Sequence, residues 1–212
     1  MAFMRCCIRG SGQGRGSREM RYDLVDATPR SSEKKSSSSK SKLSQEALFE
    51  ASESGNREEV RRHVEDGFNV NVVDQEDGYT ALLLASECGK LGVVEELVHA
   101  GAALDAKDSF GRTALYAAAV AGHADVVALL SHAGADANAA DDDGRTPFWA
   151  TCALRHLQVA SFLLDVAGVP LDARDHSSKS PLAHAIESGH ADVIDFLKQR
   201  GAKDSDDARL AA

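Results

Sequence analysis

Thr80, Thr113, Thr146 and Ser180 stand 33, 33 and 34 residues apart, and at each of them the same block of sequence restarts. A second ruler agrees: Gly67, Gly101, Gly134, Gly168 and Gly201 recur at steps of 34, 33, 34 and 33. Self-similarity at this period marks a solenoid, in which a unit buries its apolar face only against its neighbours. The constraint reaches function as well. A stacked array offers an extended surface rather than an enclosed pocket, which points to binding rather than catalysis.

The block 111–143 shows what one unit contains. Thr113 is placed to cap a helix, because its hydroxyl can accept from a backbone N–H that the first turn leaves without a partner. Small side chains from Ala114 to Val120 then predict a short helix ending near Gly122. A second helix is expected from about Ala124 to His132, with Val126, Val127, Leu129 and Leu130 as its apolar stripe. Gly134 sits where a left-handed residue closes the helix. The polar stretch from Ala135 to Asp143 would project as a finger toward the next unit.

These residues resemble an ankyrin repeat: G-x-T-A-L at 111–115, A-G-H-x-D-V-V at 121–127, L-L at 129–130 and A-G-A-D-x-N-A at 133–139. Gly144-Arg145-Thr146-Pro147-Phe148 and Ser180-Pro181-Leu182 repeat the start. Pro suits the first helical position, where its missing N–H is no loss. The resemblance implies an all-α solenoid of stacked helix-turn-helix units with short hairpin fingers. Five units follow, near 44–77, 78–110, 111–143, 144–178 and 179–203, the outer two acting as caps. The array with a short acidic C-terminal tail fills residues 43–212.

Three departures from the family pattern stand out. Its inter-unit His, three residues after the capping Thr, is replaced by Leu83, Tyr116, Trp149 and Ala183, so that polar link should weaken or give way to packing. Arg155 stands where the inner turn normally has Gly, in a left-handed conformation worth about 1 kcal/mol of strain. The fourth unit has one extra residue between Arg155 and Gly168, and the first finger has one among Gln75, Glu76 and Asp77. The fourth unit is therefore expected to be the weakest link.

Proteins of this family generally engage partners through finger tips and inner helices. By register, the resemblance assigns that role to Tyr79, Ser109, Phe110, Arg112, Asp142, Asp143, Arg145 and Lys179 on the fingers and to Val120 and Leu154 on the inner helices. Phe110, Arg112 and Tyr79 are the expected anchors, with Trp149 either beside them or plugging a gap between units. An apolar centre inside a charged rim suits a protein interface. The expected role is a non-enzymatic adaptor or scaffold, acting as a monomer on a protein partner. Short arrays of the family also serve as stoichiometric protein inhibitors.

Charge divides the chain. Residues 1–42 hold ten basic and four acidic residues, net +6, whereas residues 43–212 hold 14 basic and 29 acidic, net −15. Phosphate backbones are bound mainly through Lys and Arg, so the array is ill suited to nucleic acid and better suited to a basic protein surface. Residues 1–42, rich in Gly, Ser and Lys, are expected to be a disordered tail, since such composition buries too little apolar area to offset chain entropy.

The tail suggests other readings. Cys6 and Cys7, flanked by Arg5 and Arg9, could be S-acylated, and two lipid chains anchor where one does not; the protein would then be a membrane-associated scaffold. Ala2 rules out an N-myristoyl start. Four Arg and no acid in residues 1–18 also fit a presequence, although four glycines oppose its helix. Without a secretory apolar stretch, and with cysteine spacing that demands no oxidising compartment, the expected location is cytoplasm or nucleus.

The eight His are scattered, and there is neither HExxH nor Cys/His zinc spacing. Asp141-Asp142-Asp143-Gly144 lacks the later ligands of a calcium loop. Gly12-Gln13-Gly14-Arg15-Gly16 lacks the flanking strand and helix of a phosphate loop. No cofactor and no metal are expected.

Overall fold

The computed structural model describes residues 37–203, with side chains from Gln45 onward. Ten helices alternate as inner and outer members of five units: α1 (Ser37–Ser54) with α2 (Arg57–Glu65), α3 (Ala81–Glu87) with α4 (Leu91–His99), α5 (Ala114–Ala121) with α6 (Ala124–His132), α7 (Pro147–Ala153) with α8 (Leu157–Asp165), and α9 (Pro181–Ser188) with α10 (Ala191–Gln199). Inner helices pack on inner helices and outer on outer along the stack, while each helix also packs on its unit partner. That is the all-α repeat solenoid expected from the period.

The unit boundaries follow local chemistry. Thr80, Thr113, Thr146 and Ser180 each turn their hydroxyl back to accept from the N–H three residues on, at 3.2–3.3 Å. Each inner helix then ends in a positive-φ residue that reverses the chain into the outer helix. Gly122 (φ 80°) does so with no Cβ to strain. Arg155 does the same at φ 63°, so the left-handed strain expected there is present. Its guanidinium bonds Asp192 of the last unit at 3.0 Å.

The core is a spine one residue wide per unit. Leu48, Leu82, Leu115, Phe148 and Leu182 occupy equivalent inner-helix positions, each 0–1% exposed. Outer helices add Leu97, Leu130, Leu163 and Leu197, also fully buried. Truncating a spine Leu to Ala would cost about 2–5 kcal/mol, since neighbouring units hold the gap open. The end helices are polar outside, and Arg57 and Arg61 of α2 reach the Glu96 carboxylate of α4 at 2.8 and 2.6 Å. At the other end Arg200 grips Asp165 and the hydroxyl of Ser161.

One boundary differs from expectation. α1 begins at Ser37, six residues inside the stretch assigned to the tail, because Ser37 to Lys42 contain no Gly or Pro to stop a helix that already runs from Leu43. Its 18 residues compare with seven or eight in the other inner helices. The extra residue of the fourth unit falls at the end of α8, where Val166 at the cap makes a single backbone bond, to Phe162, and stands exposed. Residues 1–36 and 204–212 lie outside the described residues, and with them Cys6 and Cys7.

Candidate protein-binding face

Each finger is built around one aspartate. The Asp108 carboxylate accepts from the N–H groups of Phe110 and Arg112 at 2.9 and 2.8 Å, closing the turn on itself. Asp141 does the same for Asp143 and Arg145 at 3.0 and 2.8 Å, and Asp175 for Lys179 at 2.8 Å. A backbone pair fixes the base of each turn, from Asp108 N–H to Arg112 C=O and from Asp141 N–H to Arg145 C=O. Neighbouring tips are then sewn together by Ser109 N–H to Asp77 C=O, Asp142 N–H to Phe110 C=O and His176 N–H to Asp143 C=O, at 2.9–3.0 Å. The finger row is a continuous hydrogen-bonded edge.

Burial divides the expected anchors. Phe110 is exposed at 44% and Leu154 at 45%, while Ser109, Asp142 and Asp143 are exposed and Val120 half-buried. Tyr79, expected on the finger surface, is only 5% exposed. Arg112 is not a free anchor either. Its Nε donates to Asp108 Oδ2 at 2.8 Å and its Nη2 to the Tyr79 hydroxyl at 2.7 Å, with the Asp108 side chain wholly inaccessible. Both residues lock the second finger to the first. Their assignment as exposed contacts gives way because a buried carboxylate demands a cation, and the finger Arg is the nearest one.

The next finger keeps the sequence pattern but changes its bonding. The Tyr116 hydroxyl reaches across from α5 and donates to Asp141 Oδ2 at 2.7 Å. With that oxygen taken, Arg145 turns outward to Asp143 at 2.9 Å and lies 5.1 Å over the Trp149 ring. Trp149 in turn donates from Nε1 to the Lys179 carbonyl of the fourth finger at 3.2 Å, and its ring centroid lies 4.7 Å from that of His184. The expected loss of the inter-unit polar link is therefore corrected at two positions: Tyr116 and Trp149 are long enough to reach the following finger. At Leu83 packing replaces it, in a small cluster with Tyr79 and Ala117.

This bonding has electrostatic consequences. Burial, followed by the Asp141 carboxylate, holds the Tyr116 phenol far above the usual tyrosine range, and burial raises Tyr79 as well. Burial lowers the His184 imidazole, so the ring beside Trp149 favours its neutral form. Cys152, the buried thiol in the fourth inner helix, is pushed up to about 12 by burial, which makes it a packing group and a poor nucleophile. Among the described residues, no cluster of His, Cys, Asp and Glu could hold a metal ion, and no helix is long and apolar enough to cross a membrane.

The inner face thus carries a row of rings, Tyr79, Tyr116 and Trp149, with Phe110, Val120 and Leu154 between finger tips and inner turns. Tyr116 and His184 were not among the sequence candidates. Tyr116 had a usable signal, since it stands 33 residues before Trp149 at the position the family gives to a bonding side chain. The family model for ankyrin repeats (3 copies) matches residues 48–141 and 128–207. The chain belongs to the ankyrin-repeat family. A search of curated proteins found no match. Ankyrin repeats are generally protein-interaction modules.

Proposed function

We propose that this ankyrin-repeat protein is a non-enzymatic adaptor or scaffold, which engages a protein partner with a basic surface through its fingers and inner helices. The observation that carries the reading is the exposure of two large apolar side chains, Phe110 on the second finger at 44% and Leu154 at the turn after α7 at 45%, on an array with acidic finger tips. Desolvating two such side chains, with the buried aromatic row behind them, supplies an interface centre, while the acidic rim favours a cationic partner. A complex of ordinary size would bury about 1,600 Å² in total. We place the protein in cytoplasm or nucleus, as a monomer.

The test is affinity capture from native lysate by the full chain, against a Phe110→Ala/Leu154→Ala variant. Neither side chain is buried, so both proteins should melt alike. Loss of a captured protein in the variant supports the reading; retention of every captured protein at full yield refutes it. Arg112→Glu is unsuitable for this purpose, because it would bury two like charges with Asp108 and disturb the finger itself.

A further inference from the structure

We infer that the basic segment preceding α1, residues 1–36, docks on the acidic inner face of its own array and competes there with the protein partner. The inference rests on the face assigned under the proposed function but adds an occupant that the chain itself carries.

Charge is the first observation. Residues 1–36 contain eight basic and four acidic residues, whereas the array beyond them is strongly acidic. On the inner side the imbalance sharpens. The fingers and inner helices carry Glu53, Asp142, Asp143 and Glu187, the last two paired with Arg145 and Lys179. Of the basic residues there, Arg112 pairs with Asp108 at 2.7 Å, Arg145 with Asp143 at 2.9 Å and Lys179 with Glu187 at 2.5 Å, while Lys107 and Arg174 donate to the carbonyls of Ala140 and Ser178. The face is net negative, with apolar Phe110 and Leu154 exposed in its middle.

Geometry is the second. By register, an inner helix starts just after its finger, as α3 starts at Ala81 after the turn that ends at Tyr79. The equivalent point in α1 is near Glu46, and there Gln45 donates from Nε2 to the carbonyl of Val73 in the first finger at 2.9 Å. α1 continues back for nine more residues to Ser37, so the chain leaves the fold past the first finger. A segment of 36 residues can extend about 120 Å at ~3.3 Å per residue. Helices packed about 8–10 Å apart place the five units within about 50 Å, well inside that reach.

Tethering does the rest. A segment held within this distance faces its site at an effective concentration of about millimolar, so weak contacts suffice to occupy the face until a tighter partner displaces it. The attraction is between exposed charges and must fade with salt.

The experiment uses the full chain with a nitroxide-bearing residue introduced at Ser11, leaving all four cysteines as they stand, and reads paramagnetic broadening of backbone amide signals. Expected is selective broadening along the fingers and inner helices, at Phe110, Asp142, Asp143 and Glu187, above that at the outer helices α4, α6 and α8. The excess should vanish in about 1 M salt, where the screening length is about 3 Å. It should vanish also in the charge-reversal variant Glu53→Lys/Asp142→Lys, at one half-buried and one exposed acid. Broadening equal on inner and outer helices, or indifferent to both changes, overturns the inference. In a mixture of spin-labelled chain at natural abundance with nitrogen-15 chain lacking the label, broadening of the inner face would make a second copy the occupant and also overturn it. A tail that does not dock, beside partner capture that still needs Phe110 and Leu154, leaves the adaptor reading standing. The opposite pair of results removes the adaptor reading alone.

Discussion

Replacing Tyr116 by Phe removes one hydroxyl and isolates the device that joins the third inner helix, α5, to the third finger. The phenol is 5% exposed and donates to Asp141 Oδ2 at 2.7 Å. A buried bond to a charged acceptor is worth about 1.5–3 kcal/mol. Part of that returns in the variant, because Arg145 can swing onto the vacated oxygen as Arg112 does on Asp108 in the finger before. The net loss should be about 1–2 kcal/mol. At about 2–4 °C per kcal/mol for a domain of this size, the midpoint should fall by about 2–8 °C. Thermal melts followed by far-ultraviolet circular dichroism measure it, and a double-mutant cycle with Asp141→Asn separates the pairwise part. Alkali gives a second readout. A phenol whose folded pKa lies far above its unfolded value of about 10 contributes stability that is complete below pH ~10 and is lost as pH rises beyond it. Wild type should therefore lose stability more steeply than Tyr116→Phe above pH ~10, with some loss remaining in both from Tyr79. Zero coupling to Asp141, with an unchanged midpoint, would refute the account of the finger linkage.

Other outcomes test other parts. Asp108→Asn should destabilise by about 3–5 kcal/mol in denaturant titration, because Arg112, its side chain only 13% exposed, loses its counter-charge. Gly89→Ala should cost about 2 kcal/mol or more, since φ is +64° and the new Cβ would lie 2.6 Å from the His123 ring, displacing the bond from its Nε2 to the Glu87 carbonyl. Ser178→Gly should stabilise by about 0.5–1 kcal/mol, as Ser178 holds φ 63° where the other fingers place Gly. Glu96, held down to about 2 by hydrogen bonds from Arg61 and then Arg57, adds stability that is present above its ordinary pKa near 4.5 and lost between there and pH ~2. Glu96→Gln should flatten acid unfolding across that window.

The repeat and the start of each unit could be read from the chain because their causes are local. Thr113 caps the helix that its own neighbours form, and Gly122 and Gly134 sit where the backbone must turn left-handed. The second helix of the third unit was placed at its observed ends, Ala124 and His132, by apolar spacing alone. The site was harder, because finger residues look alike in one dimension. Tyr79 and Arg112 are polar, lie in turns and read as exposed, yet Asp108 draws both inward. Arg112 and Arg145 share one register but bond differently, and the difference lies in Tyr116, whose hydroxyl reaches a finger 25 residues on. No period in the sequence encodes which of two donors reaches a shared carboxylate first. The length of α1 escaped for a related reason: Ser and Lys signal a linker by composition, but they do not break a helix that its C-terminal half already nucleates.

The most direct test of the adaptor reading is amide hydrogen exchange of the full chain, alone and bound to whichever protein the capture experiment yields. Protection gained on binding should concentrate in the fingers 108–112 and 141–145 and in the inner helices α5 and α7, around Phe110, Val120 and Leu154. Protection confined to the outer helices α4, α6 and α8 would place the partner on the opposite side of the stack and contradict the proposed binding face.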